Sequence, residues 1–149
     1  MSKSFTLSLV PGFDSSQRDA LRDLYDAVGW STYTQDLNRL VTAVEGSHFV
    51  VTVWDDECLV GLARALSDDV SIAYIQDILV RPSHQRMGVG RALVNSILER
   101  YSHVRQKVLL TDDRPEQHQF YRSLSFHNTR ELVETRLNAF VMFEGVELV

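Results

Sequence analysis

The apolar positions of this 149-residue chain switch repeatedly between the period of a strand and that of a helix. Phe5 to Val10 reads as a first strand, stopped by Pro11-Gly12. Asp14 is placed to cap a helix with Gln17 three positions on, and Ala20, Leu21, Leu24, Tyr25 and Val28 then share one face that ends near Gly29. Thr34 is expected to cap a second helix, in which Leu37, Leu40, Val41 and Val44 recur at helical spacing before Gly46. His48 to Trp54 and Leu59 to Leu66 are rich in strand formers and flank the turn-like Asp55-Asp56-Glu57, which predicts an antiparallel hairpin.

A third apolar run, Ser71 to Val80, leads through Arg81-Pro82 and Gly88-Val89-Gly90 into an amphipathic helix from Arg91 to Tyr101, with Leu93, Val94, Ile97, Leu98 and Tyr101 on one face. Lys107 to Thr111 reads as a short buried strand and Glu116 to Leu124 as a helix opened by Pro115. Two last strands are expected at Phe126 to Val133 and Ala139 to Glu144. The order β-αα-βββ-α-β-α-ββ mixes hairpins with β-α-β units, which implies an α/β fold: a mixed sheet with helices packed on it. No repeat, low-complexity tract or linker interrupts it, so residues 1–149 read as a single domain.

Composition narrows the classes. Apolar residues make up 44% of the chain, enough for one buried core. No apolar run reaches membrane-spanning length, and Met1-Ser2-Lys3-Ser4 lacks the features of a secretory signal, so a cytoplasmic location with no membrane partner is expected. A formal charge of −5 and the absence of a Lys/Arg block argue against a nucleic-acid partner and suit a cationic one. Cys58 is the single cysteine, and the five histidines show no metal-ligand spacing, so no disulfide and no metal are expected.

The chemistry concentrates in Gln85-Arg86-Met87-Gly88-Val89-Gly90-Arg91-Ala92, placed after an expected strand and opening an expected helix. Amides of a helix's first turn form an anion site, and glycines let a pyrophosphate approach the backbone. A P-loop would require Gly-Lys-Ser/Thr, whereas Gly90 precedes Arg91-Ala92; a dinucleotide fingerprint would require glycine where Leu93 stands. The run instead resembles the Gln/Arg-x-x-Gly-x-Gly/Ala signature of GNAT acetyltransferases. The preceding Tyr74 to Pro82 is similar to that family too, and so is Phe120-Tyr121-Arg122-Ser123-Leu124-Ser125-Phe126.

That resemblance implies acetyl-CoA as cosubstrate and transfer of its acetyl group to a primary amine by direct attack. The expected acceptor is a small molecule such as a polyamine, an aryl-alkyl amine or an aminoglycoside. A peptide acceptor and a silent acetyl-CoA sensor are the alternatives. Backbone amides from Met87 through Ala92 would hold the pyrophosphate, with Gln85, Arg86 and Arg91 beside it. Leu79 and Val80 would pair with the pantetheine arm, and an amide near Ile78 or Leu79 would face the oxyanion. Tyr121 is the expected general acid. Asp77, an aspartate inside a strand, is the candidate base, although a hydrogen bond to a neighbouring backbone or arginine accounts for it equally.

Many members carry asparagine where this chain has Arg114, which is expected to reach a phosphate instead. Ser125 replaces the family's glycine, implying that φ there is negative. By the same resemblance Trp30 and Tyr33 would wall an acceptor pocket, with packing of loop aromatics the competing account. Asp112 or Asp113 would bind a cationic acceptor, with loop capping the competing account. A homodimer is expected only because exposed late strands often pair in this family.

Overall fold

The first helix is defined by its start. In the computed structural model, which describes residues 5–9 and 13–149, the Gln17 N–H donates to the Asp14 carboxylate at 2.9 Å. The Asp14 N–H donates in return to the Gln17 side chain at 3.1 Å, so two otherwise unpaired amides are satisfied together. Helix α1 runs Ser15–Ala27 and buries Leu21, Leu24 and Tyr25. A single turn, α2 (Ser31–Thr34), separates it from α3 (Leu37–Glu45). The expected cap at Thr34 is thereby corrected to Asp36, whose carboxylate accepts from the Arg39 N–H at 3.1 Å. Thr34 instead closes α2, donating to the Ser31 carbonyl at 3.0 Å; aspartate is the better cap of the two.

Five strands follow the order β1-β2-β3-β4-β5: β1 (Thr6–Leu9), β2 (Phe49–Asp55), β3 (Cys58–Ser67), β4 (Ile72–Val80) and β5 (Gln106–Leu109). All neighbours are antiparallel except β4 and β5. The Val10, Pro11 and Gly12 positions assigned to the end of the first strand lie outside the described residues. Strand β3 is buried from Leu59 through Ala65 because both of its faces are covered. On one face Leu21, Leu24, Leu40, Val41 and Val44 of α1 and α3 pack with Leu59, Leu62 and Leu79. Helix α4 (Val89–Arg100) lies on β2, β3 and β4, where Gly61, Ala63 and Ala65 alternate on one side of β3.

The chain divides into two compact units, Met1–Leu110 and Thr111–Val149. The second opens with α5 (Pro115–Ser123). The two late strands expected after it do not form among the described residues. Asn128 caps a 3₁₀ turn at Thr129–Glu131, its side chain accepting from the Arg130 N–H at 3.0 Å, and that turn breaks the first segment. In the second segment, Phe140 and Met142 are 94% and 86% exposed. Strand propensity expresses packing against a neighbour, so an alternating segment with no ladder partner stays irregular.

Candidate active site

The site begins where β4 and β5 separate. Their pairing covers only Ile72 to Ile75 against Gln106 to Leu109, although β4 continues to Val80. Against β3, Arg64 faces Asp77 and Ala65 faces Ile75, which leaves Gln76 as an extra residue. Such a bulge bends its strand and increases its twist. The bend falls where the β5 ladder stops, and the Gln76 to Val80 edge presents backbone donors and acceptors that β5 does not pair. Leu79 and Val80, expected to meet the pantetheine arm, and Ile78, expected with Leu79 near the oxyanion, lie on this edge.

Beyond β4 the chain makes a 3₁₀ turn at Pro82–His84 and an exposed loop through Gln85, Arg86, Met87 and Gly88. Arg86 and Gly88 both have positive φ, 62° and 84°. Gly88 is the N-cap of α4, with no side-chain cap and no acidic residue in the first turn. The Ala92 N–H donates to the Gly88 carbonyl at 3.0 Å, and the Val89 and Gly90 amides of the first turn point out of the helix end. A Cβ built on Gly88 meets nothing within 4 Å. An open, uncapped helix start is the environment a pyrophosphate requires, and the residues present fit one.

Packing fixes the height of this helix end. Val89, 2% exposed, sits against Gly61 so closely that a Cβ there would meet Val89 Cγ1 at 2.7 Å and Leu93 Cδ1 at 3.1 Å. Gly61→Ala is expected to destabilise the protein by about 1–3 kcal/mol through overpacking and to raise the acetyl-CoA KM by moving the first turn of α4. Thermal unfolding and donor kinetics check the two effects; an unchanged melting temperature would contradict the close contact.

Asp77 lies beneath α1, 2% exposed. Its Oδ2 accepts from the Tyr25 hydroxyl at 2.7 Å and from Arg64 Nε at 2.5 Å. Arg64 also reaches the Ser47 hydroxyl at 3.3 Å and the Ala43 carbonyl at 3.4 Å. Burial works against the Arg64 charge, but the adjacent Asp77 carboxylate outweighs it and raises the Arg64 pKa. Burial, reinforced by the Asp77 charge, holds the Tyr25 phenol well above its ordinary range. This network supplies a structural reason for an aspartate inside β4. Above it, the Tyr25, Trp30 and Tyr33 rings lie 5.7–6.1 Å apart, with Trp30 36% and Tyr33 41% exposed.

In the second unit Tyr121 lies between Phe120 and Phe126, with ring centroids at 5.0 and 5.9 Å. Burial pushes its phenol up to about 12, which keeps it protonated and able to donate. Arg114 is the N-cap residue of α5 and pairs with Asp112 at 3.5 Å, both exposed. The expectation for Ser125 is corrected: its φ is 69°. Its N–H donates to the Arg122 carbonyl at 3.1 Å, and the Phe126 N–H to the Tyr121 carbonyl at 3.0 Å. These bonds satisfy the end of α5 only with a left-handed residue at this position, whichever side chain it carries.

Sequence reasoning overlooked Gly61, Arg64, Tyr25 and the pairing of His84 with Asp55. Two signals were available: the small residues Gly61, Ala63 and Ala65 at alternate positions, and opposite charges, Arg64 and Asp77, inside neighbouring apolar runs.

The chain belongs to the acetyltransferase (GNAT) family, whose sequence model matches residues 14–126; this family uses acetyl-CoA to acetylate amines. A Gibberella zeae protein named as an acetyltransferase is 29% identical over 130 residues, covering 85% of this chain and 69% of the other. The ycf52 N-acetyltransferase of Pyropia yezoensis is 26% identical over 110 residues, covering 71% of this chain and 62% of its own length. Among solved structures, a GNAT family acetyltransferase of Streptococcus pneumoniae superposes with a TM-score of 0.79 at 26% identity, covering 95% of this chain and 99% of the other. No helix among the described residues is long and apolar enough to cross a membrane.

Proposed function

We propose that this chain acetylates the primary amine of a small molecule, using acetyl-CoA held at the start of α4. The observation that carries the reading is the uncapped α4 N-terminus, preceded by a loop with positive φ at Arg86 and Gly88, beside the unpaired edge of β4. When bound, acetyl-CoA supplies an activated acyl thioester. The amides from Met87 to Gly90 bind its phosphates, with Gln85, Arg86 and Arg91 alongside, and Arg114 adds charge; the Ala92 N–H, expected to join them, is already engaged by the Gly88 carbonyl. Leu79 and Val80 orient the pantetheine arm, and a β4 amide near Ile78 or Leu79 stabilises the oxyanion. Tyr121 donates its phenolic proton toward the departing thiolate.

Trp30 and Tyr33 form the acceptor surface: two half-exposed rings with centroids 6.0 Å apart suit an aromatic or cationic amine, since an ammonium is attracted to a ring face. Asp112, exposed and negative, is a further contact for a cationic acceptor. Asp77 contributes to catalysis as a base only if it gives up a partner, because Tyr25 and Arg64 already engage its carboxylate; positioning β4 is the role its geometry supports.

The test is CoA release from acetyl-CoA across polyamines, aryl-alkyl amines, aminoglycosides and peptides. Turnover confined to one small-molecule class is expected, and turnover with peptides alone would replace the small-molecule reading. Tight acetyl-CoA binding without turnover on any acceptor would favour a sensor. Gly88→Glu is expected to weaken acetyl-CoA binding by about tenfold or more, because it places a carboxylate against the phosphates and a side chain at φ 84°. Unaltered affinity, read by calorimetry, would remove the loop from the donor site.

A further inference from the structure

The loop from Pro82 to Gly88 is exposed along its length except at His84, which is 8% exposed. His84 Nε2 lies 2.8 Å from Asp55 Oδ2, at the end of β2. Its Nδ1 lies 2.7 Å from the Ser83 hydroxyl, and the Phe5 ring stands edge-on to the imidazole at 6.1 Å. An ionised carboxylate only accepts, so Nε2 carries the proton toward Asp55; in the neutral ring Nδ1 then accepts from Ser83. The tautomer and the ring orientation are thereby fixed.

The backbone beside it is tied to the same hairpin. The Arg81 N–H donates to the Val60 carbonyl at 2.8 Å, and Arg81 Nε to the Leu59 carbonyl at 3.2 Å. The turn closes on itself through the His84 N–H to the Arg81 carbonyl at 2.8 Å. On its far side the loop ends at Val89, buried over Gly61 of the same hairpin. The residues from Gln85 to Gly88 thus span two fixed points, and both rest on β2 and β3.

We propose that Asp55 and His84 are positioning residues for donor binding: the pair holds the loop at the height where its amides meet the pyrophosphate, without touching the donor. The inference rests on the assignment of this loop to the phosphates. A carboxylate across a strand turn fixes one buried imidazole, and the imidazole fixes the entry to the loop. Amides that bind phosphate lose affinity when displaced by a fraction of an ångström, so the pair acts through geometry alone.

The experiment compares wild type, Asp55→Ala, Asp55→Asn and His84→Phe with two donors: acetyl-CoA, and S-acetylpantetheine, which carries the thioester without pyrophosphate or nucleotide. Asp55→Ala and His84→Phe are each expected to raise the acetyl-CoA KM about tenfold, with kcat at saturating donor and the amine KM unchanged. The S-acetylpantetheine KM should stay at its wild-type value. Asp55→Asn, which retains an acceptor for His84 Nε2, should recover most of the acetyl-CoA affinity.

Wild-type acetyl-CoA KM in both Asp55→Ala and His84→Phe would overturn the proposal. An equal loss with both donors would also overturn it, because that pattern marks general damage to the fold. Weakened binding in Gly88→Glu with none in Asp55→Ala would remove only this inference, whereas no effect in Gly88→Glu would remove the phosphate assignment beneath it.

Discussion

Replacing Arg64 by leucine is expected to destabilise the protein by about 3–5 kcal/mol, because it leaves the Asp77 carboxylate buried beside Tyr25 with its cation removed. Asp77 is 2% exposed and Arg64 7%, so water cannot replace the lost partner without opening the face between α1 and the sheet. For a chain of this size the melting temperature should fall by about 10 °C. The double change Arg64→Leu with Asp77→Leu should recover much of that loss, since a well-packed apolar pair tolerates burial better than one unpaired charge. Thermal and urea unfolding of wild type and the two variants measure both effects. A single-variant loss below about 1 kcal/mol, the range of exposed ion pairs, would show that the network is solvated.

The second large effect concerns rate. Tyr121→Phe is expected to lower kcat by about 100-fold, the lower end of what a positioned acid contributes, while leaving acetyl-CoA affinity and melting temperature near wild type. Phenylalanine keeps the ring that packs on Phe120 and Phe126 and removes only the donor. The pH dependence carries a sign. Burial disfavours the phenolate and moves the pKa from 10 up to about 12, so the neutral donor persists throughout the range in which activity is measured. A fall in kcat between about pH 9 and 10, below this range, would belong to a different group. Unchanged kcat in the variant would end the acid role and leave the donor site intact.

Features written into neighbouring residues were legible in the chain. The α1 capping box, the hairpin from β2 to β3 and the loop entering α4 each depend on residues within a few positions of one another, where spacing states geometry directly. The Arg64, Asp77 and Tyr25 network was not legible in the same way, because Tyr25 and Asp77 lie 52 positions apart and meet only after α1 packs on the sheet. The roles proposed for Tyr121 and the phosphate loop come from the family resemblance and await the kinetic tests above; at Ser125 the resemblance misled, because the demands of the helix end outweigh the lost glycine. The two late strands failed for a related reason: Phe140 and Met142 alternate as a strand would, but alternation specifies a face and supplies no neighbour to cover it.

The hairpin that supports the loop also offers a handle. Cys58, the sole cysteine in the chain, opens β3, is exposed, and stands opposite Asp55 in the ladder. A maleimide dye therefore attaches at one place in the native sequence, without engineering. Its emission would come from the strand rung that holds His84, giving an optical signal for the state of the loop while donor is added.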